Sequence, residues 1–471
     1  MKVQLKLMCE LIYMVSESRL DTPIWYETEH VNYFVPEGTN CVYLQLPEVE
    51  VVSNIEKELF KALDSPLNSP PLKELVGTHY RRGDSIFILV DDNTRPNIHT
   101  RALLPLLEKK LTEYGVDKSD IKIMIATGTH TPPTSAQIKK SILKELYEEW
   151  KDRLWVHDCD DLPNHEHLGF SSVGTPILID KRVLSGCIII PLSDSEYHYF
   201  AGVAGSVKLF VPGVSGRKTV RVNHSRIFDM NTGFKPECRM GNIRNNISIQ
   251  DIREIVQILM ENHKKTVFVI DTIIHKDQFV NIFAGTPLDI HENGLKVLSK
   301  IRNITIKEKA DLVIISKPSV NFYQAGKGMN AASFAVKQGG QIVLLAGCQE
   351  GIGPDDYLET MNRIKDLPLQ EAMQWVIKNK CSETTFEIGI QNAVDLLRIL
   401  QMTEGEVYVY STLDPHLLQE PFRVKSLEID KDPQEALRVF VDDFLTKKPG
   451  ALVCVFEDYN ILALASNEKK Q

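Results

Sequence analysis

What this 471-residue chain lacks narrows its function first. Its eight cysteines, Cys9, Cys41, Cys159, Cys187, Cys238, Cys348, Cys381 and Cys454, include no Cys-x-x-Cys pair. That excludes a zinc ribbon and a thioredoxin-type dithiol. Their scatter fits free thiols in a cytoplasmic protein. There is no basic run, and the net charge is −9, so a protein that tracks nucleic-acid phosphates is not expected. No stretch reaches the roughly 18–20 uninterrupted apolar residues of a membrane span. Met1 to Val15 is apolar in patches, but Lys6 and Glu10 interrupt it and no small-residue cleavage site follows. A signal peptide is therefore not expected either. No Gly-x-Gly-x-x-Gly follows a strand, which leaves a Rossmann dinucleotide site without support. Gly213–Thr219 looks like a P-loop at a glance, yet the spacing and the Gly-Lys pair are missing. No low-complexity tract or solenoid-period repeat occurs.

What is present is an ordinary globular composition, with 43% hydrophobic and 25% charged residues, enough to build two or three cores of about 150 residues each. Short β-branched runs alternate with helical patterns, the mark of parallel α/β sheets. The strand candidates are Ser85–Val90, Ile121–Ala126, Thr175–Asp180, Cys187–Pro191, Thr266–Ile270, Phe279–Ala284, Ala310–Ser316, Gln341–Ala346, Glu406–Ser411 and Ala451–Phe456. Helices are expected over Arg101–Tyr114, Ile249–Asn262 and Asp432–Leu445. Another is expected from a capping box at Thr134–Gln137 toward Trp150. Ala331–Lys337 reads as helix, stopped at Gly339-Gly340 by a left-handed cap. The expected class is α/β, with two open α/β domains, largely parallel sheets and an active-site cleft between them. The boundary falls near residues 285–300. The division is 1–290 for an N-terminal catalytic domain, 291–425 for a C-terminal α/β domain, and 426–471 for a helix and strand packing back across the domains.

Ligands of open α/β sheets bind beyond the carboxyl ends of the strands. Asp92 and Arg95 follow the first clear strand, and a guanidinium there suits a carboxylate or phosphate. Taken alone, the same two residues read more readily as a helix cap and a surface ion pair, since caps at this position are common. His130 follows Gly128 after the next strand. The segment Glu196–Lys208 holds a run of small residues flanked by His198 and Lys208, and Asn223-His224 lies beyond it. Such histidines serve as acid, base or metal ligand, or simply as satisfied core residues. A lysine can anchor a carbonyl-like group. Gln324 and Lys327 would share a face if Tyr323 opens a helix, making an anion site or an ordinary amphipathic start.

Taken in order, these segments resemble the nickel-pincer nucleotide-dependent lactate racemase family, over about Ser85 to Gly353. The likeness rests on Asp92-Asn93-Thr94-Arg95-Pro96, Ala126 to His130, His198 to Gly202, Lys208 before Pro212-Gly213, Asn223-His224, and Tyr323 to Lys327. It implies a pyridinium mononucleotide with two sulfur groups pinching a nickel ion, held covalently by Lys208 and ligated by His224. It implies acid–base roles for His130 and His198, an orienting role for Asp92, and substrate binding by Arg95, Gln324 and Lys327. The implied reaction is inversion of the C2 centre of a lactate-like 2-hydroxy acid by proton-coupled hydride transfer. Cofactor maturation proteins are the implied partners, with no nucleic acid and no membrane. Two other readings stay open: a non-catalytic homologue that binds the cofactor or a related nucleotide, and a metal-dependent hydrolase using the three histidines. The chain departs from the family before Lys208, where a Ser-Gly-Gly-Arg-like stretch is replaced by Ala204-Gly205-Ser206-Val207. Ser316–Phe322 also lacks the usual Gly-rich, Asp-bearing form.

Overall fold

The computed structural model describes residues 22–26, 29–33, 38–319, 321–427, 430 and 432–466. The expectations for Met1–Val15 lie outside them. The chain divides into two compact units. The first takes Glu48–Ile301 with Lys378–Ile388. The second takes the described residues up to Pro47, Arg302–Ile377, and those from Gly389 onward.

β1 (Cys41–Leu44) belongs to the second unit. The first unit is built on β2 (Ile86–Asp91), β3 (Ile121–Ala126), β4 (Leu154–Val156), β5 (Ile188–Asp194), β6 (Val269–His275) and β7 (Gln278–Gly285). Their order is β7-β6-β5-β2-β3-β4, with every neighbouring pair parallel except the β6–β7 hairpin. Its helices include α1 (Ile98–Glu113), α2 (Arg217–Ser225) and α3 (Ile247–Glu261). Strands buried on both faces read as continuous apolar runs, which is why β2 and β5 were visible in the sequence. Ile86, Ile88 and Val90 of β2 pack with Leu103, Leu104 and Leu107 of α1 and Ile188 and Ile190 of β5 in one fully buried cluster.

The second unit carries β8 (Ala310–Ser316), α4 (Phe322–Ser333), β9 (Val336–Leu345), β10 (Val407–Tyr410), β11 (Lys425–Ser426), α5 (Pro433–Lys447) and β12 (Val453–Phe456). The order β11-β10-β9-β8-β12-β1 is parallel throughout. Leu312, Ile314, Val343, Val453 and Val455 meet Leu437, Val441 and Phe444 of α5 in its core. Among the described residues no helix is long and apolar enough to cross a membrane, and all seven described cysteines are free thiols.

Two local expectations are corrected. The Thr134 capping box forms, but the helix does not continue smoothly to Trp150. Ser141 Oγ bonds back to the Gln137 carbonyl, and Arg101 reaches the Ser141 carbonyl at 3.0 Å. The segment widens at Ile138–Ile142 and breaks at Lys144, whose φ is +49°. Ala331–Lys337 is not one helix either: α4 ends at Ser333, and Val336 already lies in β9. Gly339 does adopt a positive φ of +69°, but within β9. Ala310 pairs with Val336 and Leu312 with Gln341, so Gly339 sits in a bulge of that ladder.

Candidate functional site

Beyond the end of β2 the loop is locked from inside. Asn97 is fully buried at a left-handed φ of +55°. Its amide donates to the carbonyls of Asp92 at 2.7 Å and Arg95 at 3.0 Å. Thr94 donates its backbone N–H and its hydroxyl to Asp92 Oδ1 at 3.0 and 2.6 Å. The other carboxylate oxygen meets His130 Nδ1 at 2.7 Å. Burial pushes the Asp92 carboxyl up, yet His130, Thr94 and Arg95 together hold it below its ordinary range. An ionised Asp92 accepts the Nδ1 proton, so neutral His130 presents a bare Nε2. The helix-cap alternative for Asp92 is not what forms: α1 starts at Asn97 without a side-chain cap.

His130 is carried by the loop after β3. Gly128 turns there at φ +58°, and a Cβ on it would stand 3.1 Å from Pro212. The Gly128 N–H donates to the Gly213 carbonyl, and the Gly213 N–H donates to the Lys208 carbonyl. Gly213 therefore ties the His130 loop to the Lys208 turn through main-chain bonds. A Cβ on Gly213 would stand 2.2 Å from the Leu209 oxygen, so only glycine fits.

His198 sits in a two-residue ladder, Tyr197-His198 against Gly202-Val203. Its Nδ1 accepts the Ala201 N–H at 3.2 Å, so the neutral ring carries its proton on Nε2. The neutral tautomers of His130 and His198 are thus opposite. Tyr199 stacks on His198 at 5.0 Å between ring centroids, and Phe200 meets it edge-on at 4.5 Å.

Lys208 lies in the short turn Ser206–Leu209. Burial, then the Arg95 charge, lowers its ammonium pKa to about 7. A sizeable share of the amine is therefore neutral, and nucleophilic, near neutrality. His224 is buried on α2, and burial with the Lys208 charge lowers its pKa to about 3. Asn223 sets its tautomer. The Asn223 amide donates to the Ser248 carbonyl and to Asp251 of α3, so its oxygen must accept. It accepts from Ser248 Oγ at 2.9 Å and from His224 Nδ1 at 3.1 Å. The His224 lone pair is thereby placed on Nε2, as a metal ligand requires.

The ring of Phe200 joins these groups, lying 4.5 Å from the His198 ring, 5.1 Å from the His224 ring and 5.5 Å from Lys208 Nζ. So the first unit brings together Asp92, Arg95, His130, His198, Lys208 and His224. Gln324 and Lys327 are on α4 of the second unit, where Asn321 Oδ1 caps the helix by accepting the Gln324 N–H. Among the described residues the three histidines form no cluster at metal-ligand spacing; Asp158, Cys159 and Asp160 do, and Asp160 is engaged by Arg217.

Sequence reasoning missed the joining role of Phe200 and the whole of Lys378–Ile388. In that segment Phe386 packs 5.9 Å from the His224 ring and 6.0 Å from Phe228. Glu387 pairs with Arg217 at 3.2 Å and with Arg221, and the Phe386 carbonyl accepts from Arg221 Nε at 3.0 Å. No motif marks these residues. Phe200 was visible inside His-x-Phe-Ala-Gly, but only as spacing.

Fold and site together define a two-unit α/β protein that gathers a carboxylate-held histidine, a second histidine with a fixed tautomer, a lysine and a third oriented histidine around one largely parallel sheet. Comparison narrows this class. The lactate racemase N-terminal domain matches residues 26–234, and the lactate racemase C-terminal domain matches residues 305–444. The chain belongs to the lactate racemase family. It is 28% identical over 371 residues to lactate racemase of Thermoanaerobacterium thermosaccharolyticum, covering 75% of this chain and 82% of that protein. It is 28% identical over 383 residues to lactate racemase of Lactiplantibacillus plantarum, covering 80% and 84%. Its fold is similar to the lactate racemase apoprotein of T. thermosaccharolyticum, with a TM-score of 0.76 over 94% of this chain and all of that one, at 24% identity. A Thermotoga maritima protein shares the fold less closely, with a TM-score of 0.63 over 87% and 98% at 14% identity.

Proposed function

We propose that this protein is a racemase or epimerase that inverts the C2 centre of a lactate-like 2-hydroxy acid, using a nickel-pincer nucleotide anchored on Lys208 and ligated by His224. The observation that carries this reading is the convergence of the Lys208 amine, the His224 ring and His198 on Phe200. Three features support the fit of such a cofactor. The Lys208 amine is depressed toward neutrality by burial. The Nε2 of His224 keeps its lone pair because Nδ1 is committed to Asn223. Ser206 Oγ, two residues before Lys208, is buried without a hydrogen-bond partner among the described residues. Soft sulfur with imidazole is a sensible ligand set for nickel.

When bound, the cofactor supplies a hydride acceptor and donor, which makes inversion accessible at a carbon too weakly acidic for simple deprotonation. The chain does the rest. His130 Nε2 takes the hydroxyl proton, with Asp92 holding the ring by its Nδ1–H. His198 faces the other side with a proton on Nε2. To pass that proton on, its Nδ1 must release the Ala201 N–H and take up a proton from solvent, so that the ring ends neutral with its proton on Nδ1. Arg95 supplies the fork for the substrate carboxylate.

The test begins with intact-mass measurement and peptide mapping of protein made in a nickel-supplied host with the cofactor maturation proteins. A nucleotide-sized adduct on Lys208, with inversion of a 2-hydroxy acid on chiral chromatography, is the expected result. An adduct without inversion of any 2-hydroxy acid would favour a binding or storage role. An unmodified Lys208, in a host that loads the T. thermosaccharolyticum relative, would defeat the cofactor assignment.

A further inference from the structure

The Lys208 turn rests on a buried carboxylate that none of the roles above uses. Asp271 lies on β6 directly opposite Ser193 of β5. It is fully buried, and burial raises its carboxyl to about 6. At neutral pH it is therefore mostly an acceptor. Its Oδ1 accepts the Ser193 hydroxyl at 2.9 Å and the Thr272 N–H at 3.0 Å; its Oδ2 accepts the Ser195 hydroxyl at 2.6 Å. Each serine has one hydroxyl proton, and both are spent on Asp271. That fixes the Ser193 oxygen as an acceptor, and it takes the Ser206 N–H at 2.8 Å.

Ser206 is where the chain most needs holding. Gly205 before it has φ +89° and ψ −172°, a region open essentially to glycine alone. Ser206 itself adopts a positive φ of +21°, which an L side chain rarely takes. A Cβ on Gly205 would meet Ser195 Oγ at 3.0 Å and Asp271 Oδ2 at 3.2 Å, so the turn sits against the same cluster. The Lys208 N–H then closes the turn on the Gly205 carbonyl at 2.8 Å.

We propose that Asp271 is a positioning residue for Lys208: by orienting Ser193 it holds the Gly205–Ser206 turn in the conformation that places the Lys208 amine over the Phe200 ring. Its bearing on catalysis rests on Lys208 as the cofactor anchor, but the device itself belongs to the apoprotein and is tested there.

The probe is acetic anhydride at pH 7 on the apoprotein, with acetylation of Lys208 read by peptide mass spectrometry against exposed Lys73 in the same chain. Ser193→Ala and Ser195→Ala each remove one hydroxyl from Asp271, and only the first removes the acceptor of the Ser206 N–H. Ser193→Ala is expected to slow Lys208 labelling about fivefold relative to Lys73: with one unit of amine pKa regained as the turn relaxes toward water, the neutral fraction at pH 7 falls from about a half to about a tenth. Ser195→Ala and Ser193→Thr, which keeps the hydroxyl, are expected to label like the parent. Asp271→Asn should follow Ser193→Ala. If Asp271→Asn does not fold, the two alanine variants decide the matter. Equal labelling in Ser193→Ala and parent, or equal slowing in both alanine variants, would overturn the proposal and leave the cluster a purely structural one. Neither outcome touches the cofactor assignment, which the Lys208 adduct decides separately.

Discussion

At the scale of single residues, the site works by committing one end of each polar group so that the other end is defined. Asp92 spends one oxygen on Thr94 and the other on His130. Asp92→Asn keeps the shape but offers an amide where His130 needs an acceptor. Its kcat should fall by about 10²–10⁴, as for other acid–base histidines that lose their orienting carboxylate. The Lys208 adduct should remain at parental occupancy by intact mass. Parental kcat would remove Asp92 from the orienting role. Lys208 gives a prediction of opposite character, because its cost falls on the folded state. Its pKa is about 7 when folded, against 10.5 ordinarily. Between those values the unfolded chain binds more protons, so apoprotein stability rises with pH across that window. Lys208→Met removes the group. It should be the more stable apoprotein at pH 7, by a few kcal/mol at most, and lose that advantage by about pH 10.5. Urea midpoints at several pH values check this; parallel curves for the two proteins would show that Lys208 is not held in a desolvated place.

At the scale of elements, the least conspicuous segment of the sequence has the clearest structural job. Lys378–Ile388 lies on α2, the helix that carries His224, through Phe386 and Glu387. Phe386 is 2% exposed, and its truncation to alanine should cost about 3–5 kcal/mol. Glu387 is partly exposed, and Glu387→Ala should cost no more than about 1 kcal/mol despite two arginine partners. Chemical denaturation of the two variants checks the ratio; similar losses would mean that charge, not packing, seats the segment. Such a segment cannot be read from a sequence, because hydrophobic pattern reports burial and not the identity of the partner. The strands were legible for the same reason: β2 and β5 carry unbroken apolar runs, Ile86–Val90 and Ile188–Leu192, and burial on both faces is all they need. Ala331–Lys337 was misread because its apolar spacing suits a helix as well as a bulged strand. The site was legible in its chemistry-bearing residues. It was not legible in what orients them, since Asn223, Ser193 and Asp271 are ordinary polar residues until the fold brings them into contact.

At the scale of the whole molecule, the first unit is not one continuous stretch of chain. Its last eleven residues arrive from Lys378–Ile388, after the chain has built much of the second unit. The N-terminal part up to Ile301 contains every first-unit site residue named above, yet on its own it leaves one face of α2 without Phe386 and without the carboxylate shared by Arg217 and Arg221. A fragment spanning 48–301 should therefore fold around the large apolar cluster of β2, β3, β5 and α1 but melt below the same fragment carrying residues 378–388 on a flexible linker. The difference should follow the Phe386 term, about 3–5 kcal/mol less the entropy of closing the linker loop. Phe386→Ala within the graft should erase most of it. A graft that changes nothing would mean that α2 is supported by the N-terminal stretch alone. A graft that restores the midpoint only when Phe386 is intact would show that the aromatic seat beside His224 is part of the folding unit that builds the site.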